Sequence, residues 1–148
     1  YPLRLERLDL SELINECIGK MDMGIVGAST ISFDSHESVC MEADRRLLER
    51  CFLNIMYNAF VHNGEGIALN ITLQKGEHII LTFTDNGTGM PKEEACHIFE
   101  RYYRGTNSQK TKGSGLGLAI SREVVLAHKG DIRVETELNK GTSFIISF

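Results

Sequence analysis

The sequence predicts a mixed α and β domain built as a two-layer sandwich, not as a doubly wound parallel sheet. Three observations point there. Two pairs of strand-like segments are each joined by a short turn and read as hairpins, residues 67–73 with 78–84 and residues 131–136 with 142–148. A long amphipathic segment, residues 44–62, precedes the first hairpin. The chain has 148 residues, one domain's worth, and is 42% hydrophobic and 24% charged, which is ordinary for a globular protein and excludes wholesale disorder.

Each element has a local reason. Residues 9–20 (DLSELINECIGK) pattern as a short amphipathic helix capped by Asp9 or Ser11. Residues 29–33 and 38–42 alternate weakly and predict two short strands. In the long helix Asp44 is the expected N-cap, and Leu47, Leu48, Cys51, Phe52, Ile55, Met56, Ala59 and Phe60 recur at three- and four-residue spacing as its buried stripe. The strands of the first hairpin are rich in Ile, Leu, Thr and Phe and flank Lys75-Gly76-Glu77. Pro91 is expected in the first turn of a helix over 91–99, with Glu93 and Glu94 suited to its N-terminal dipole. Residues 102–114 are polar and Gly-rich and predict a long loop. A helix resumes over 115–128, with Gly130 as its stop signal, and the last hairpin turns at Asn139-Lys140-Gly141.

Bulk properties narrow the function. The net charge of −4 gives no basic field for nucleic acid or anionic lipid, so any phosphate chemistry must use local groups. The longest strictly apolar run is Val124–Ala127, far too short to span a bilayer. The start lacks an initiator Met and a signal peptide's apolar stretch, and reads as a cut from a longer chain. Cys17, Cys40, Cys51 and Cys96 match no zinc or haem spacing and are expected to be free thiols in a reducing compartment.

Four segments carry candidate chemistry. Asn54 and Asn58 are four apart on the long helix and share a face, which Val61 and His62 extend. They read either as exposed amides on a helix flank or as oxygen donors aimed into a cleft, where an Asn carbonyl suits Mg²⁺. Asp85-Asn86-Gly87-Thr88-Gly89-Met90 follows a strand directly. It reads either as a tight turn or as a carboxylate that accepts a hydrogen bond from an exocyclic amine such as adenine N6, with Gly87 and Gly89 admitting the ligand. Ile98 to Arg104 closes a helix at the start of the long loop, either as a surface ion-pair segment or as an apolar anchor with Arg104 reaching phosphate. Gly113-Ser114-Gly115-Leu116-Gly117-Leu118 opens a helix, where free backbone N–H groups bind anions and Gly admits a phosphate. It is neither a dinucleotide fingerprint nor a P-loop.

In this order the four segments resemble the N, G1, F and G2 boxes of the ATP-binding catalytic domain of sensor histidine kinases, in the wider group of gyrase, Hsp90 and MutL. Gly141-Thr142 is similar to that family's final Gly-Thr. The resemblance implies an α+β Bergerat fold, a two-layer α/β sandwich whose mixed, mostly antiparallel sheet is covered on one face by helices. It implies residues 1–10 as a linker from a helical dimerisation domain and residues 11–148 as the catalytic domain.

It also implies Mg²⁺ and ATP as ligands. By position, Asp85 would bind adenine N6 with Thr142 in support through water. Gly87, Gly89 and Met90 would complete the purine side, and His62 would be among the nucleotide contacts. Asn58 would hold Mg²⁺ and Asn54 would line the phosphate site. Gly113, Gly115, Leu116, Gly117 and Leu118 would offer N–H groups to the phosphates, and Arg104 would contact the terminal phosphate as the candidate catalytic cation.

Hydrolytic relatives carry a Glu where this chain has Asn54, which cannot act as a general base, so ATP should be kept for transfer to a histidine. None of His36, His62, His78, His97 and His128 stands in a phosphoacceptor context, so the acceptor is expected on the separate dimerisation domain, with a response regulator downstream. Neither nucleic acid nor direct membrane contact is expected of this segment. The isolated domain is expected to be a cytoplasmic monomer and its parent to be anchored in the cell membrane. Val61 stands where the family often has a phosphate-side Lys, and Lys110 and Lys112 are the nearest cations to stand in. The alternatives are an anti-sigma-type Ser/Thr kinase and a nucleotide-binding regulatory module with little transfer activity.

Overall fold

The computed structural model describes residues 2–21, 23–34, 37–61, 63–64, 66–101 and 117–148. Five strands form one sheet in the order β2(Thr30–Phe33), β4(Ala68–Lys75), β5(Ile79–Asp85), β7(Gly141–Ser147), β6(Asp131–Glu137). Only the β2–β4 pair is parallel, and the other pairs are antiparallel. A separate two-stranded sheet pairs β1(Glu6–Asp9) with β3(Cys40–Ala43). Helices α1(Leu10–Lys20), α3(Arg45–Val61) and α5(Gly117–Ala127) pack side by side, and α2(Met23–Val26) and α4(Lys92–Ala95) are single turns.

Strand alternation shows which face the helices cover. Leu69, Ile71, Leu81, Phe83, Phe144 and Ile146 are buried, while Asn70 and Thr72 between them are exposed. The buried residues meet the helical stripe predicted on α3: Leu48, Cys51, Phe52, Ile55, Met56, Ala59 and Phe60 are all buried in one cluster with them, and Leu47 packs at its margin. Phe52 and Phe83 join the two layers with ring centroids 5.9 Å apart. This is the two-layer α/β sandwich with a mostly antiparallel sheet that the sequence predicts.

Both predicted helix caps form. Asp9 accepts the Ser11 N–H at 2.8 Å, so Asp9 and not Ser11 caps α1. Asp44 accepts the Leu47 N–H at 3.1 Å at the start of α3. All four cysteines are free.

The two short strands form as expected, in different sheets: β2 joins the main sheet beside β4, and β3 pairs with β1. Three expectations need amending. Residues 6–10 of the expected linker are part of the fold, with Leu8 and Leu10 buried and the Arg4 N–H donating to Asp44 Oδ2 at 3.0 Å. The helix expected over 91–99 is a single turn with Pro91 as its cap. Beyond it the chain turns through tight bonds such as His97 N–H to Glu94 O, because Ile98 and Phe99 must dock on the core, Phe99 edge-on to Phe144. At the end of α5 the left-handed residue is Lys129 (φ 63°), not Gly130. Gly130 is needed because a Cβ there would meet the Ser147 carbonyl of β7.

Candidate functional site

The site begins at the end of the sheet. One cross-strand row holds Leu69, Asp85, Thr142 and Thr136, with Asp85 opposite Thr142 and Thr142 opposite Thr136. The next row, Ile71, Phe83, Phe144 and Val134, is core. Period-two alternation therefore puts the Asp85 carboxylate on the helix-covered face, directly beyond the apolar layer. Asp85 is 6% exposed. Its Oδ1 accepts the Gly87 N–H at 2.8 Å. Burial pushes its carboxyl above the usual carboxylate range, against the opposing pull of the Gly87 and Thr142 backbone N–H groups.

Thr142 is buried, and its hydroxyl lies 2.9 Å from the Thr136 hydroxyl. Thr136 also accepts the Met90 N–H at 3.1 Å. The Met90 N–H is thus satisfied inside the protein. Thr136 was not among the predicted site residues, although its alternation with Val134 and Ile132 on β6 sets it on the same face as Thr142.

Two of the glycines in the turn after β5 have an internal reason. Gly89 has φ 65°, and a Cβ on it would overlap the Glu137 carbonyl. A Cβ on Gly87 would overlap the Asn63 carboxamide. The expectation that these two glycines admit a ligand is therefore unnecessary to explain them, since neighbouring protein atoms already occupy the space. Gly141, with φ 121°, likewise lets β7 start against the Asp85 carbonyl.

Gly117 differs. It opens α5, has no left-handed φ, and among the described residues a Cβ on it would meet only Asn54, at 3.8 Å, an ordinary contact. A glycine there costs helix propensity relative to alanine, by less than the roughly 1 kcal/mol of a helix interior because it is the first residue of the helix. The Asn54 Nδ2 donates to the Gly117 carbonyl at 3.4 Å, and Ser121 Oγ donates to the same oxygen at 2.9 Å. This fixes the start of α5 beside the middle of α3. Leu118 packs its side chain against the core. The first N–H groups of α5 have no acceptor in their own helix.

Asn58 lies one turn further along α3, half-buried, and its amide has no hydrogen-bond partner among the described residues. Asn63, just beyond α3, bonds to the Gly87–Thr88 turn. The Asn54 contact to α5 and the Asn63 contact to that turn lie on either side of Asn58, so α3 forms the wall that joins the two halves of the site. His62, Arg104, Gly113, Gly115 and Leu116, like Lys110, Lys112 and His36, lie outside the described residues.

A helix-covered mixed sheet with a buried strand-end carboxylate, an asparagine-bearing helix and a glycine-opened helix defines the nucleotide-binding class the sequence resembles. The chain belongs to the histidine kinase-, DNA gyrase B-, and HSP90-like ATPase family, whose profile matches residues 43–148.

The chain is 43% identical over 121 residues to the sensor histidine kinase YvrG of Bacillus subtilis, covering 80% of this chain and 21% of that protein. It is 34% identical over 142 residues to the heme sensor protein HssS of Staphylococcus saprophyticus, covering 95% and 30%. Among solved structures, the mycobacterial sensor histidine kinase MprB superposes with a TM-score of 0.85 at 28% identity, covering 98% of this chain and 97% of that one. The catalytic domain of histidine kinase ThkA gives 0.85 at 26% identity, covering 99% and 97%. The chain spans about a fifth to a third of the length of the curated relatives it matches. Among the described residues no helix is long and apolar enough to cross a membrane.

Proposed function

We propose that this domain binds Mg-ATP against the exposed face of α3, between the turn after β5 and the start of α5. There it supplies the γ-phosphoryl group to a histidine on a separate helical dimerisation domain of its parent protein. In the transfer an imidazole nitrogen attacks the γ-phosphorus, the bond from phosphorus to the β–γ bridging oxygen breaks, and ADP leaves with that electron pair. A response regulator is the onward acceptor. The parent is a membrane-anchored sensor with this domain, a monomer in isolation, on the cytoplasmic side of the membrane.

One observation carries the reading. A carboxylate only 6% exposed stands at a strand end, in no ion pair among the described residues, held by the backbone N–H groups of Gly87 and Thr142 and with acceptor capacity left for an amine. Adenine N6 is such a donor, and guanine presents an acceptor in its place. Gly117 adds to it, because no neighbour among the described residues requires a glycine there and a closely approaching phosphate would supply a reason.

The donors present fit magnesium. Among the described residues there is no cluster of three His, Cys, Asp or Glu to hold a metal. Asn58 instead offers one amide oxygen, and Mg²⁺ in phosphate sites takes one or two protein oxygens and completes its shell with phosphate and water. When bound, the ion neutralises charge on the phosphates. Asn54 donates its amide to Gly117 and orders the phosphate side, and it has no basic group with which to activate water. Arg104 would be the cation at the terminal phosphate.

The test is transfer in trans. Labelled ATP, this domain and the parent's dimerisation domain should give label on the dimerisation domain and none on this chain. Label on this chain would overturn the assignment of the acceptor. Val61, an apolar residue at the end of α3, favours a second reading as a nucleotide-binding regulatory module. Tight ATP binding with no transfer to the added domain would establish that reading instead.

A further inference from the structure

We infer that Asn63 is a positioning residue that locks the purine side of the site to the magnesium side, and so sets both nucleotide affinity and the preference for adenine. The inference rests on the ATP-binding reading above.

Three hydrogen bonds carry it. The Asn63 Nδ2 donates to the Ala59 carbonyl at 2.6 Å, on the last turn of α3 and one residue from Asn58. The Asn63 Oδ1 accepts the Thr88 N–H at 2.9 Å and the Thr88 hydroxyl at 3.3 Å. One carboxamide thus joins the helix that bears Asn58 to the turn that bears Asp85. The fit leaves no slack, since any side chain on Gly87 would collide with this carboxamide.

The consequence for Asp85 is geometric. Its Oδ1 is held by the Gly87 N–H, one residue before Thr88. Holding Thr88 therefore holds Gly87, and holding Gly87 keeps the carboxylate turned so that Oδ2 faces the ligand. On its far side the same turn is fixed by the Asn139 N–H, which donates to the Thr88 carbonyl at 2.6 Å, and by Thr136 at Met90. Those two contacts belong to the β6–β7 hairpin and do not reach α3. Asn63 is the link between the turn and the helix among the described residues, and both ends of its carboxamide are already bonded to protein partners.

The test uses the domain itself, with Asn63→Ala and Asp85→Asn side by side. Calorimetry with Mg-ATP and Mg-GTP gives affinity and selectivity, and amide hydrogen exchange without nucleotide reads the turn directly. For Asn63→Ala we expect exchange at Thr88 and Gly87 to quicken, ATP affinity to fall about tenfold, and the ratio of ATP to GTP affinity to shrink. Loss of affinity in Asp85→Asn with wild-type affinity, selectivity and Gly87 protection in Asn63→Ala would overturn the inference and leave the ATP reading standing. Unchanged affinity in Asp85→Asn would overturn the ATP reading itself. Should the alanine variant not fold, Asn63→Ser carries the same test with the same expected losses, because its oxygen is too short to span Ala59 and Thr88 together.

Discussion

Replacing Asp85 with Asn should make the empty domain more stable and ATP binding much weaker. The two effects have one origin. Burial holds the Asp85 carboxyl above its ordinary value of 3.8, so the native state binds that proton more tightly than the unfolded chain does. The stability tied to it is complete below pH 3.8 and is lost as pH rises through the higher native value. At neutral pH the wild type carries the penalty of ionising a buried carboxyl.

The Asp85→Asn variant carries none of it and still offers Gly87 an acceptor oxygen, so its thermal midpoint at pH 7 should rise. For binding, Oδ1 is already committed to Gly87, so the nucleotide amine depends on one charged hydrogen bond through Oδ2. Such a bond contributes about 1.5–3 kcal/mol, or roughly 10- to 150-fold in affinity. The substitution adds to that loss by setting an amide N–H₂ against the adenine amine. Calorimetry with ADP and scanning calorimetry of the empty domain read the two effects separately. Affinity within twofold of wild type, or a midpoint lowered at pH 7, would refute the reasoning.

Other predictions follow from the same geometry. Gly89→Ala should destabilise the domain by about 3 kcal/mol or more in urea titration, because φ 65° and the Glu137 carbonyl both exclude a Cβ. Gly117→Ala should do the opposite, raising stability by up to about 1 kcal/mol while weakening ATP binding. Asp44→Ala removes the cap of α3 and should lower stability by about 1–2 kcal/mol. Chiefly the Arg4 N–H holds the Asp44 carboxyl below its ordinary 3.8, so this contribution is present above that pH and lost as pH falls through the native value. The wild type's urea midpoint should therefore drop more steeply in acid than the variant's. Burial pushes the Cys17 and Cys51 thiols up to about 12, so a thiol reagent should modify exposed Cys96 and half-buried Cys40 in the native state and the other two only on unfolding.

The local patterns explain why much of this protein is legible in its residues. The stripe on α3, the caps at Asp9 and Asp44, and both hairpins depend on neighbours within a few positions, and helix periodicity and turn chemistry record such neighbours directly. The same holds for Asn54 and Asn58 on one helix face and for Asp85 at a strand end. Asn63 carries no such local mark, and the alternation that sets Thr136 on its face does not show what it holds. Each acquires its meaning from partners 25 and 46 positions away, Thr88 and Met90.

By itself, then, the sequence determined most of the elements (though not β1 or α2), which face of the long helix is buried and which residues are candidates for phosphate and purine, because these are matters of period and spacing. Only the tertiary structure decided that β2 runs parallel beside β4 while β3 turns to β1. Only it decided that Gly87, Gly89 and Gly141 yield space to the protein while Gly117 is not crowded by any described residue. The physical reason is that strand partnership and close backbone approach are settled between segments far apart in the chain, where packing of the whole core outweighs local preference.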